Sequence, residues 1–372
     1  MDLNYNFASF LDALGFAQAF SFGILLILLS KEKRKCTLCL GIFLILISFK
    51  LLYYITNSIQ IENVYPKLFL LPFNFSWLLF PLFFIYCQKI SFVSKENITY
   101  WILIPGAFSF LIQIIIFFLP YETKVALSQS PWHEIVLVYL GIGYSWVIAI
   151  WNLIFLRKHR LEVKNHFSTL ESKQLNWANI FLLYSLITSI IIHIMYFISP
   201  KDLHYRIVFA VFDLIAIYWI AFFGIRQKSV ININSVSEIK MANSFINPNE
   251  VDPMTKESME KLMIQINKHM ANSEVYMNLE LTIIDLANDL GVHPKKISAA
   301  INTISNKNFN SFINSYRVEK AKNLLLEKNK RHDLSIDGIG YEAGFKSKSA
   351  FYSAFKKETG ITPTKYVTST SS

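Results

Sequence analysis

The chain has 372 residues, of which 53% are hydrophobic and 15% aromatic, too apolar for a water-soluble protein throughout. All seven tryptophans precede residue 226, whereas the rest is rich in Lys, Asn, Ser and Glu, so the apolar excess belongs to the first part alone. The net charge of +10 suits an anionic membrane surface or nucleic acid, and three cysteines are too few for the disulfide framework of a small secreted domain.

A bilayer core about 30 Å thick needs about 20 apolar residues per helix. Seven such runs follow in chain order, at roughly 9–30, 36–57, 68–88, 99–119, 134–156, 177–199 and 205–225. The first has no basic residue before it and no small-residue cleavage site after it, so it reads as a retained span. Cys36 and Cys39 form a CxxC at the start of the second run, but no further pair or His cluster completes a metal site, and they read as small residues of a membrane helix.

Lys and Arg gather in alternate loops. Lys31, Lys33, Arg34 and Lys35 follow the first run, Lys89 and Lys95 the third, and Arg157, Lys158, Arg160, Lys164 and Lys173 the fifth. Arg226 and Lys228 close the seventh, while the intervening loops carry only Lys67, Lys124 and Lys201, with Arg206 at the membrane edge. This bias predicts a multi-pass protein of the inner (cytoplasmic) membrane with its N-terminus outside and its C-terminus in the cytoplasm.

Polar groups inside these runs are costly in hydrocarbon and are functional candidates: Asp12, Gln18, Lys50, Gln113, Asn152, His193 and Asp213. Asp12, Lys50, Gln113, His193 and Asp213 fall in the outer half, where Lys50, Gln113, His193 and Asp213 form either a pocket for a small extracytoplasmic ligand, with Lys50 and Asp213 paired, or a set of interhelical hydrogen bonds with no ligand.

Residues 227–254, with Pro248, Pro253 and no apolar periodicity, read as a linker. Helical spacing of Met259, Leu262, Met263 and Ile266 over 255–271 predicts a helix that either leads into the next domain or pairs with another chain. Beyond it two segments share one plan. In the first, Leu281, Ile284, Leu286 and Ala287 form a supporting helix, Gly291 and Val292 a turn, and Pro294 to Ile304 a second helix. In the second, Ile336, Ile339 and Gly340 lie in the supporting helix, Gly344 and Phe345 form the turn, and Ser347 caps a helix from Lys348 to Glu358.

Both second helices are basic: His293 to Lys307 holds three lysines and no acid, and Lys346 to Lys357 holds four and no acid. Acids sit mainly on the supporting and connecting helices, so phosphate-neutralising charge tracks the two second helices. Between the motifs an amphipathic helix ends near Lys328; its twenty or so residues span about 30 Å, close to the roughly 34 Å between successive major-groove faces of B-DNA.

The ordered series Leu286-Ala287, Gly291-Val292, Phe312-Ile313-Asn314, Tyr316-Arg317-Val318-Glu319-Lys320-Ala321, Leu324-Leu325, Ile339, Gly344-Phe345, Phe351, Phe355-Lys356-Lys357, Gly360, Pro363 and Tyr366 resembles the DNA-binding domain of AraC/XylS-type transcription regulators over about residues 277–367. The resemblance implies two helix-turn-helix subdomains whose second helices enter the major groove of double-stranded DNA. Carried onto this chain, the reading positions are Lys295, Lys296, Ser298 and Ala299 in the first motif and Lys346, Lys348, Ser349 and Tyr352 in the second, with Lys356 a further DNA contact. His293 stands where a Ser-like cap is usual, which predicts a weaker helix start, and Gly340 stands where the family usually has Ala.

The expected fold is therefore all-α: a seven-helix transmembrane domain over 1–226, the linker, and a cytoplasmic domain over 255–372 with two helix-turn-helix motifs. The expected function is promoter binding under control of a signal sensed by the bundle, with homodimerisation and contact with RNA polymerase as further partners beside DNA and the lipid bilayer. No catalytic residue, metal or cofactor is expected. The alternatives are a transporter or enzyme half carrying a regulatory DNA-binding domain, and an anchored regulator released by proteolysis.

Overall fold

A computed structural model describes residues 3–29, 35–91, 93, 98–171, 173–198, 203–227, 254–328 and 335–370. The linker expected at 227–254 lies almost entirely outside them. The described residues are helical apart from turns, loops and one isolated antiparallel bridge between Phe167 and Thr282. They fall into two compact units: residues 1–159 with 175–230, and residues 160–174 with 231–372.

The first unit holds α1 (Phe7–Leu29), α2 (Lys35–Ser58), α3 (Leu79–Ile90), α4 (Ile104–Phe117) and α5 (Tyr121–Ser128). It also holds most of α6 (Pro131–His166), then α7 (Asn176–Ile198) and α8 (Leu203–Arg226). Among the described residues six helices are long and apolar enough to cross a membrane: α1, α2, the run Tyr100–Phe117 that includes α4, α6, α7 and α8. Their outward faces carry large apolar side chains such as Phe10, Ile115, Ile154 and Phe197. α1 and α2 cross closely: a Cβ at Gly23 would lie 3.0 Å from the Gly41 carbonyl oxygen, and one at Gly41 would lie 2.8 Å from that of Gly23. The missing side chains of the two glycines permit this backbone approach.

The third predicted span departs from expectation. In place of a continuous helix over 68–88, the chain makes a 3₁₀ turn at Pro66–Leu68, a non-helical stretch, and then the 12-residue α3. Neighbouring side chains take up the backbone polar groups that this break frees. Gln113 accepts from the Asn74 N–H at 3.0 Å and donates to the Asn74 carbonyl at 2.9 Å. The buried Lys124 ammonium donates to the carbonyls of Lys67, Phe69 and Phe117 at 3.0, 2.9 and 3.2 Å. Pro66 and Pro72 lack the N–H groups a helix needs, which is why hydropathy alone overran the break.

The second unit contains α9 (Lys256–Ser273), α10 (Ile283–Leu290), α11 (Pro294–Ser305), α12 (Phe309–Lys328), α13 (Ile336–Glu342), α14 (Lys348–Thr359) and α15 (Pro363–Thr370). It has two apolar cores. Leu262, Met263, Ile266 and Met270 of α9 pack with Leu286, Ile297, Ile301 and Phe312, so α9 is a lead-in helix of this domain. Val318, Ala321 and Leu325 of α12 pack with Ile339, Phe345, Phe351 and Phe355 to form the second core. The helix α12 thus contributes its first half to one core and its second half to the other.

Candidate nucleic-acid interface

Each motif is set by local capping. Thr282 and Asp285 cap α10 reciprocally: the Asp285 N–H donates to Thr282 Oγ1 at 3.2 Å, and the Thr282 N–H donates to the Asp285 carboxylate at 2.8 Å. Gly291, at φ +64°, ends α10, and the Val292 N–H returns to the Ala287 carbonyl at 3.0 Å. His293 then caps α11, its Nδ1 accepting from the Lys295 N–H at 3.1 Å. The cap expected to be weak is made, provided the imidazole is neutral with its proton on Nε2. Burial, then the charges of Lys295 and Lys296, holds the His293 pKa below its ordinary value, which keeps the ring neutral.

The second motif repeats the scheme. Ser335 caps α13 through the Gly338 N–H at 3.0 Å, Gly344 turns the chain at φ +91°, and Ser347 caps α14 through the Ala350 N–H at 3.3 Å. Gly340 has a packing reason: a Cβ there would lie 2.6 Å from the Phe351 ring.

The proposed reading positions lie at the starts of α11 and α14. Lys295 is exposed, and Lys296, Ser298 and Ala299 are half-buried. Among the described residues the ammonium groups of Lys295 and Lys296 have no acidic partner. Lys346, Lys348, Ser349 and Lys356 are exposed and Tyr352 is half-buried. Two of these are engaged: Lys346 pairs with Glu280 at 2.8 Å and Lys348 with Asp337 at 2.9 Å. Lys348 also lies 5.4 Å from the centre of the Tyr352 ring.

The residue that sequence reasoning left without a role is Arg317. It is 1% exposed, midway along α12. Its Nε donates to the Tyr276 carbonyl at 2.6 Å, and its Nη2 to the Asn278 carbonyl at 2.9 Å and to Ser168 Oγ at 3.2 Å. Burial lowers its pKa to about 10, against a raising influence from Glu280, so it stays charged at neutral pH. Its position inside the Tyr316-Arg317-Val318 motif was the available signal; its partners are distant in sequence.

In the first unit, Lys50 and Asp213 do meet, at 3.0 and 3.2 Å, with the ammonium 4.6 Å from the Phe209 ring centre. Arg206 donates to the Tyr54 carbonyl at 3.0 Å, and buried Asp12, one of whose oxygens has no hydrogen-bond partner, feels the charges of Asp213, Arg206 and Lys50. Gln113 and His193 have separate partners: Gln113 holds Asn74, and His193 Nδ1 lies 2.6 Å from the Ser189 carbonyl with its ring edge-on to Trp146.

Residues 286–369 match the family described as "Helix-turn-helix domain", so the C-terminal region carries an AraC-type helix-turn-helix domain. An uncharacterized HTH-type transcriptional regulator encoded in the cgkA 5′ region of Pseudoalteromonas carrageenovora is 32% identical over 91 residues, covering 24% of this chain and 51% of that protein. Histidine kinase P4 of Formosa agariphila is 27% identical over 147 residues, covering 39% of this chain and 10% of that protein. The chain thus spans about half of one curated relative and a tenth of the other. A solved structure of a protein of unknown function from Listeria innocua aligns at 23% identity over 32% of this chain and 97% of that one, with a TM-score of 0.24.

Proposed function

We propose that the chain is a membrane-bound transcription regulator that binds promoter DNA through α11 and α14 while its apolar helices cross the cytoplasmic membrane. One observation carries the reading: two capped, basic helix-turn-helix motifs share a polypeptide with six helices of membrane-crossing length. The broken third run supplies a seventh crossing, since Gln113 and Lys124 satisfy backbone that lipid could not. Seven crossings agree with the alternating loop charge and bring the C-terminus to the cytoplasm. The reading positions are Lys295, Lys296, Ser298, Ala299, Lys346, Lys348, Ser349 and Tyr352, with the lysines mainly on phosphates and two or three side chains on base edges.

The signal acts at the outer cluster around Lys50 and Asp213, whose ion pair is the group a small polar ligand would compete for. The decisive experiment purifies the intact protein from membranes and selects bound duplexes from a random pool. Recovery of one recurring site from the membrane fraction is the expected result. Recovery of none, with the protein folded, overturns DNA binding; a site bound only by a soluble fragment of about 140 residues, cut within 227–254, replaces tethering with release.

A further inference from the structure

The second unit includes a segment from elsewhere in the chain. Residues 160–174, which lie between the apolar parts of α6 and α7 in sequence, group with the C-terminal helices. The segment runs along the chain that precedes α10. The Ser168 N–H donates to the Leu281 carbonyl at 3.0 Å, next to the bridge between Phe167 and Thr282, and Thr169 Oγ1 donates to the Leu279 carbonyl at 2.5 Å. Asn310 Nδ2 donates to the Ser168 carbonyl at 2.5 Å, and Arg317 reaches the Ser168 hydroxyl.

Beyond Ser168 the segment turns toward the second motif. Lys173 pairs at 2.8 Å with Glu280, the carboxylate that also holds Lys346. The Ser347 hydroxyl, which caps α14 by accepting from the Ala350 N–H, donates its proton to Glu171. A carboxylate therefore sits on the N-cap hydroxyl of α14, at the end of the helix where the helix dipole favours an anion. DNA would present a phosphate oxygen of like charge and hydrogen-bonding capacity there. A cleft of about 180 Å³ lined by Glu171, Asn314, Arg317, Lys346 and Lys357 lies beside the segment.

We propose that the groove between the two helix-turn-helix subdomains is a docking surface for the chain's own segment 160–174, and that Glu171 stands there in place of a DNA phosphate. The docked segment occupies the N-cap of the second reading helix and holds Lys346 through Glu280, while Lys348, Ser349 and Lys356 stay exposed and α11 keeps both of its lysines unpaired among the described residues. Because the segment is continuous with α6 and α7, a shift of those helices pulls it from the groove. This inference rests on the DNA-binding reading above.

The test uses the intact protein in lipid nanodiscs with the duplex selected by that protein. Glu171→Gln removes the charge and Glu171→Lys reverses it, while both leave the caps and reading lysines in place. A charge-assisted hydrogen bond corresponds to about ten-fold in an equilibrium, so both variants are expected to bind the duplex about ten-fold more tightly. Hydrogen exchange supplies the second readout: saturating DNA is expected to deprotect the Ser168 amide in the unmodified chain. Equal affinity of all three proteins with persistent Ser168 protection overturns the proposal and leaves DNA binding standing. Absence of DNA binding in all three overturns both.

Discussion

His293 shows how one side chain ties stability of the domain to pH. Its neutral ring accepts the Lys295 N–H, and its folded pKa lies below the ordinary value of about 6.5 because of burial and the neighbouring lysines. The unfolded chain then binds the proton first on acidification. The stabilisation is full above pH 6.5 and is lost as the pH falls through the folded value. Urea unfolding of the intact protein should give a midpoint that drops from pH 7 to pH 5, and His293→Asn, which caps without titrating, should flatten that drop. A drop unchanged in His293→Asn assigns the pH dependence elsewhere. At Gly340 the limit is space. A methyl group would press on Phe351, so Gly340→Ala should cost about 1–3 kcal/mol by overpacking, measured by thermal unfolding, and Phe351→Leu in the same chain should recover part of the loss.

At the level of elements, the second reading helix tests the placement of the interface. Lys348 and Tyr352 sit on one face near its start. If either reads a base, its change to Ala should cost about 1–3 kcal/mol of DNA binding and relax preference at one position. Unchanged affinity and preference for both would move the interface off this face. Elements like this were legible because their signals are local: Ser347 before Lys348, Gly291 after Leu290, and apolar spacing along α12 all act within a turn or two of the chain. The break before α3 was not, because its backbone is satisfied by Gln113 and Lys124, tens of residues away. The docked segment was invisible for the same reason. Lys173 contributed to a basic loop in the charge count, and nothing near it announces Glu280, 107 residues on. Likewise the motif around Arg317 was readable, but the carbonyls of Tyr276 and Asn278 that fill its hydrogen-bonding fork come from another element.

Across the molecule, the proposed signal reception and the proposed DNA binding fall in different units, so each should fail separately. Lys50→Ala or Asp213→Ala leaves one half of a part-buried ion pair without its partner and should lower the unfolding temperature more than the double variant, which removes both halves. If the pair belongs to a ligand site, the double variant should fold, bind DNA, and no longer change its DNA occupancy on stimulation. A double variant that still responds fully would make the pair a helix-to-helix clasp with no sensory role.

The double duty of Glu280 has a consequence for ionic strength. One exposed carboxylate joins Lys173 of segment 160–174 to Lys346 of the proposed DNA-binding surface, and surface pairs of this kind weaken as salt screens them. Added salt also weakens phosphate contacts, so the two effects oppose each other. A simple DNA-binding protein loses affinity along a straight line in logarithmic salt. Here the line should bend, shallow where screening still frees the second motif and steep once it is free, and Glu280→Gln should straighten it.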